Sequence, residues 1–175
     1  TRVESGEKKR ELVSLDVREI AKGALDTVRP DAEKHNLSLQ LHGDGPVLMV
    51  ADRNEIEIIF NNLLSNAVKY NRAGGRVDVH LSGDEQRVTI AVSDTGIGLT
   101  PDDAGRLFRD FVRIKNDQTR HITGSGLGLS LVKKLALMYG GNATVTSKPG
   151  AGSTFTVTLQ KNARPPGEHE PRADN

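Results

Sequence analysis

Apolar residues recur along the chain with two different periods, and these divide it into helices and strands. Over 53–70, Ile56, Ile59, Phe60, Leu63, Leu64 and Ala67 lie three and four apart, the spacing of a helix with one buried face. Over 87–93, Val88, Ile90 and Val92 alternate with polar residues, the spacing of a strand with one buried face. The same reading predicts a strand at 12–15, a helix at 17–35 interrupted near Pro30, and strands at 37–41 and 47–51 with Gly43-Asp-Gly45-Pro46 turning between them. A strand at 76–82 comes before Gly83, and a helix at 127–139 stops at Gly140-Gly141. Two final strands, 143–147 and 153–160, pair across Lys148-Pro-Gly-Ala-Gly. Between 99 and 123 no apolar period is sustained and charges are many, which is the pattern of a functional lid or a disordered loop. Helices on one face of a mixed sheet make a two-layer α/β sandwich, and no internal repeat is visible.

Three polar or Gly-rich stations are set into this frame. On the 53–70 helix, Asn62, Asn66, Lys69 and Tyr70 form a second stripe beside the apolar one. An amide oxygen is a hard neutral ligand suited to Mg²⁺, a lysine one turn on can meet a phosphate, and a tyrosine can lie against a flat base. The ordinary alternative is a solvated face with incidental asparagines. The second station is Asp94, at the end of the 87–93 strand, with Gly96 and Gly98. A carboxylate held there can accept from an exocyclic amine such as adenine N6, and glycines let the backbone approach a ring; the alternative is Asp and Gly in their usual turn roles.

The third station, Gly124, Gly126 and Gly128, runs into the 127–139 helix, where a turn with free amides at a helix start favours phosphate oxygens. It lacks the Gly-Lys-Ser/Thr of a P-loop, and no strand precedes it as a dinucleotide fingerprint requires. Alone it is also a loop before a core helix. In this order and spacing, however, the three stations resemble the catalytic, ATP-binding domain of sensor histidine kinases, in the superfamily that holds gyrase, Hsp90 and MutL. The resemblance covers 12–159: an N box at 62–70, a G1 box at 94–98, an F box at 107–113 and a G2 box at 124–129.

The resemblance implies a Bergerat-type ATP-binding fold with about three helices on the sheet and a mobile lid at 99–123. It implies Mg·ATP as ligand, with Asn66 on Mg²⁺ and Asn62 supporting the metal and phosphate shell. Lys69 would contact phosphate, Tyr70 would pack near adenine, and Asp94, with Gly96 and Gly98, would recognise adenine N6. Gly124, Gly126, Leu127, Gly128 and Leu129 would form the phosphate turn, Arg113 would reach the γ-phosphate or the acceptor histidine, and Thr154 would back up Asp94. Hydrolysing members carry a glutamate four residues before the metal asparagine. Here that position is Asn62, and an amide cannot take a proton from water, so the expected chemistry is γ-phosphoryl transfer to another acceptor. The family's acceptor is a histidine on a separate dimerisation domain, which then feeds a response-regulator receiver domain; the whole protein would be a homodimer. The F box departs from the family's commoner form by Asp110 and Val112. That departure leaves open a nucleotide-binding or scaffolding module with weak or no transfer. Phe108 and Phe111 read either as a latch on the nucleotide pocket or a partner helix, or as a small satellite core.

Composition adds mainly exclusions. With 24 basic and 23 acidic residues there is no electrostatic case for nucleic acid or an anionic membrane as the main partner. The absence of cysteine excludes disulfides and thiolate zinc sites and agrees with a cytoplasmic setting. No apolar run approaches membrane-spanning length, so an anchor would lie outside this chain. His35, His42, His80 and His169 lack ligand-like spacing, and His121 falls in the lid. Residues 1–11 resemble the exit from the histidine-bearing domain, 12–161 form the expected catalytic domain, and 162–175 read as a disordered tail.

Overall fold

The computed structural model describes residues 9–106, 108 and 127–162. Strand β1 (Leu12–Asp16) leads into helix α1 (Val17–Lys34), followed by β2 (Ser38–His42), β3 (Leu48–Asp52) and helix α2 (Arg53–Lys69). Next come β4 (Arg76–Gly83), β5 (Arg87–Asp94), a short helix α3 (Pro101–Arg106), helix α4 (Leu127–Met138), β6 (Asn142–Lys148) and β7 (Gly152–Gln160).

Five strands form one mixed sheet in the order β2-β4-β5-β7-β6, with β2 parallel to β4 and the other neighbours antiparallel. Val77, Val79 and Leu81 on β4, Val88, Ile90 and Val92 on β5, and Phe155, Val157 and Leu159 on β7 are buried on one face. The alternate residues, such as His80, Thr89 and Thr156, stay partly or fully exposed. This period-two pattern lets the helices cover one side only.

Both long N-terminal helices begin at an aspartate cap. Asp16 accepts from Arg18 N at 3.0 Å and from Val47 N at 2.9 Å, and Asp52 accepts from Asn54 N at 2.9 Å and Glu55 N at 3.3 Å. Helix α1 is not interrupted at Pro30, contrary to the sequence expectation. Val28 and Ala32 continue its buried stripe across that point, while Asp26, Arg29, Pro30 and Asp31 face solvent. The Asp26 carbonyl that loses its partner is therefore on the wet side of the helix. The helix ends at His35 with Asn36 left-handed (φ 57°), a usual stop conformation.

The strands on either side of the Gly43–Pro46 turn form as expected and go to different sheets: β2 joins the main sheet, and β3 pairs with β1 in a separate two-stranded sheet. One further expectation is corrected. The stretch expected to be irregular from 99 contains α3, whose Ala104 N–H bonds Thr100 O at 2.9 Å. At the chain ends, Arg10 and Glu11 already contact the domain, and Asn162 still bridges to Val50. No helix among the described residues is long and apolar enough to cross a membrane.

Candidate nucleotide site

The site gathers at one end of the sheet, where β5 finishes, α2 finishes and the β6–β7 hairpin turns. Asp94 has the same parity as Val88, Ile90 and Val92, so its carboxylate points into the helix-covered side. Its Oδ1 accepts from Gly96 N at 2.9 Å and from Ser153 N at 3.3 Å. Its Oδ2 has no hydrogen bond among the described residues. Burial is the main influence on this carboxyl and pushes it up to about 6, with the two backbone bonds opposing. Beside it lies a cavity of about 290 Å³ lined by Asp94 and the β6–β7 hairpin, including Ser147, Gly152, Ser153 and Thr154.

Thr154 does not bond Asp94. The register sets Thr154 opposite Ser93 and Ser153 opposite Asp94, and Thr154 Oγ1 lies 2.8 Å from Ser93 Oγ. One step along a strand reverses the face, so the hairpin residue directly supporting the carboxylate is Ser153, through its backbone.

Gly96 and Gly98 are small because of the protein's own backbone. A Cβ at Gly96 would strike the Tyr70 carbonyl, and one at Gly98, whose φ is +70°, would strike that of Lys148. The turn they form is fastened on both sides. Ile97 N–H bonds Tyr70 O at 3.1 Å, Gly150 N–H bonds Ile97 O at 2.7 Å, and Leu99 N–H bonds Ser147 Oγ at 2.7 Å. Thr95 Oγ1 donates to Asn71 Oδ1 at 3.0 Å and accepts from Arg76 N at 2.9 Å, while Asn71 Nδ2 donates to Arg76 O at 3.0 Å. Asn71, Thr95, Ser147 and Ser153 were not singled out from sequence. Asn71 and Thr95 each directly follow a residue that was, and that adjacency was the available signal.

On α2, Asn66 and Tyr70 are half-buried and Lys69 is exposed. Their side-chain polar ends have no partner among the described residues. Asn62 differs from them. Its Nδ2 donates to Ile58 O at 2.8 Å, and its Oδ1 rests where a Cβ on Gly128 would collide with it. Asn62 therefore sits at the junction between α2 and the first turn of α4, and Gly128 is the residue that allows the close approach. Leu129 is buried in the core beside Gly128. Phe108 packs edge-on against Phe155, with ring centroids 6.2 Å apart, and Lys133 Nζ lies 5.6 Å from its ring centre. Of the two readings of Phe108, this contact is the satellite-core one. Phe111, Arg113, Gly124 and Gly126, and the side chain of Leu127, lie outside the described residues.

Residues 51–163 match the family described as histidine kinase-, DNA gyrase B-, and HSP90-like ATPase. The chain is similar to the alginate biosynthesis sensor protein KinB of Pseudomonas aeruginosa, 36% identical over 160 residues that cover 91% of this chain and 26% of KinB. It is similar in structure to the mycobacterial sensor histidine kinase MprB, with a TM-score of 0.74 and 25% identity over 88% of this chain and 100% of that one. Full-length ShkA, solved in complex with AMPPNP, gives a TM-score of 0.77 and 27% identity over 94% of this chain and 34% of ShkA. The chain spans about a quarter of the length of curated relatives such as KinB. With two-thirds of its length in the family match and its fold shared with these kinases, the chain belongs to the histidine kinase-, DNA gyrase B- and HSP90-like ATPase family, as a catalytic ATP-binding domain of the sensor histidine kinase kind.

Proposed function

We propose that this domain binds Mg·ATP and presents its γ-phosphoryl group to a histidine on a separate helical dimerisation domain, from which a response-regulator receiver domain takes it. The observation that carries the reading is Asp94: a partly buried carboxylate at a strand end that lines a cavity, one oxygen held by two backbone amides and the other without a hydrogen bond among the described residues. Oδ2 is an acceptor suited to the N6 amine of adenine, and the fastened Asn71–Thr95 turn keeps it in place.

The donor set on α2 fits the metal. Asn66 offers an amide oxygen with no partner among the described residues, and a bound Mg²⁺ would neutralise charge on the phosphates while drawing its remaining ligands from phosphate and water. Lys69 adds a solvent-exposed cation one turn later. Asn62 holds α2 and α4 together where the phosphates would lie, and it supplies no base for water. The domain's work is then positioning and charge neutralisation. The imidazole nitrogen of the acceptor bonds to the γ-phosphorus as the bond to the β,γ-bridging oxygen breaks, and ADP leaves.

The test is to mix this chain with a separately purified histidine-bearing dimerisation domain and γ-labelled ATP. Label on an acid-labile, base-stable phosphohistidine supports transfer. Nucleotide binding without label supports a nucleotide-binding module, and steady phosphate release without an acceptor supports a hydrolase.

A further inference from the structure

At the end of α2 away from the nucleotide residues, the segment entering β1 is held by a compact polar cluster. Arg10 Nε lies 3.0 Å from both carboxylate oxygens of Glu55, and Nη2 lies 2.9 Å from Oε1. The guanidinium carbon stands 5.2 Å from the centre of the Tyr139 ring. Tyr139 Oη donates to Glu55 Oε1 at 2.6 Å and accepts from Asp52 N at 2.9 Å, and Glu11 N–H bonds Asp52 Oδ2 at 2.9 Å. The Arg10 and Glu55 side chains are only 18% and 15% exposed, and Tyr139 is 1% exposed.

The position of this cluster gives it leverage. Glu55 is in the first turn of α2, and Tyr139 directly follows α4 and also accepts from Gln160 N at 2.8 Å at the end of β7. The same two helices meet again at Asn62 and Gly128. The two contacts run in opposite directions along the pair, so α2 and α4 are antiparallel, joined at one end by Arg10–Glu55–Tyr139 and at the other by the site itself. From Glu55 to Asn66 is eleven residues, about 16 Å of helix, so Arg10 cannot touch a nucleotide bound there. Arg10 Nη1 is buried with no hydrogen-bond partner among the described residues.

We propose that Arg10 is a positioning residue for the nucleotide site: through Glu55 and Tyr139 it sets α2 against α4, so that displacing the chain that enters β1 changes nucleotide affinity, and nucleotide binding tightens the Arg10 clamp. The inference rests on the nucleotide reading given above. Its two states are clamp closed and clamp open, and any ligand that prefers one must be preferred by it in return.

The experiment uses this chain, its Arg10→Ala, Arg10→Lys and Tyr139→Phe variants, and AMPPNP with Mg²⁺. Affinity is read by calorimetry, and hydrogen exchange is followed at the amides of Glu11, Asn54 and Glu55. Arg10→Ala is expected to weaken AMPPNP binding by about five-fold or more, with Arg10→Lys intermediate. In the parent chain, saturating AMPPNP slows exchange at Glu11, and in Arg10→Ala it does not. If Arg10→Ala does not fold, Arg10→Lys and Tyr139→Phe carry the same expectation. A cluster that is only a staple gives variants that melt earlier but bind AMPPNP within two-fold of the parent, with Glu11 exchange unchanged by ligand, and that result overturns the proposal. A parent chain that binds no AMPPNP overturns the nucleotide reading itself, and the proposal with it.

Discussion

Replacing Asp94 with asparagine should separate what this carboxylate costs the empty domain from what it gains with nucleotide. Burial raises its folded-state pKa from the ordinary 3.8 to about 6. The folded state therefore holds the proton more tightly than the unfolded state. The resulting stability is fully present below the unfolded value and is lost as pH rises through about 6. A difference of about 2.2 pH units at 1.36 kcal/mol each is about 3 kcal/mol, of which about two-thirds falls between pH 4.5 and 7.5. Asparagine keeps an Oδ1 for the Gly96 and Ser153 amides and does not ionise. The stability of Asp94→Asn relative to the parent, from urea unfolding across that range, should thus rise with pH by about 2 kcal/mol. At pH 7.5 the same variant should lose ATP affinity by about 2–3 kcal/mol, because an amide NH₂ then faces the adenine amine, donor against donor. A flat stability difference across pH 4.5–7.5 would refute the argument for a desolvated carboxylate, and unchanged affinity would refute its role in recognition.

Asn66→Ala should leave the unfolding free energy within about 0.5 kcal/mol of the parent, since the side chain has no partner to lose among the described residues. It should nevertheless abolish the difference in ATP affinity between Mg²⁺- and EDTA-containing buffers, measured by calorimetry. Gly98→Ala drives a Cβ into the Lys148 carbonyl at a positive φ, and thermal melting should show a loss of about 2 kcal/mol or more. Asn71→Ala removes the anchor of Thr95 Oγ1 and the bond to Arg76 O. Urea unfolding should show about 1–2 kcal/mol lost, and amide exchange at Ile97 should quicken as the turn loosens.

The helices and strands were legible because their signals are local. The Ile56 to Ala67 period and the Val88, Ile90, Val92 alternation need no knowledge of the partner, and both buried faces fall on those residues. Pro30 was misread because propensity does not register which side of a helix faces water. Which sheet the strands flanking Gly43–Pro46 join is not legible, because nearness in sequence does not fix pairing. The site showed the same limit. Asp94 was readable as a strand-end carboxylate. Its support from Ser153 rather than Thr154 depends on a register that a single-residue shift would reverse. The Arg10–Glu55–Tyr139 cluster joins residues 45 and 84 positions apart, and no periodicity or motif connects them. Asn62 was read for the base it lacks, whereas its contact with Gly128 is visible only once α4 lies on α2.

Adenine-nucleotide binding at Asp94 is the step on which the proposed function depends. Calorimetric titration of the chain with ATP and Mg²⁺ at pH 7.5, alongside Asp94→Asn, tests this most directly. One site per chain, with affinity lost in the variant while its fold persists, is the predicted result. No binding at millimolar ATP, or equal binding by both proteins, contradicts it.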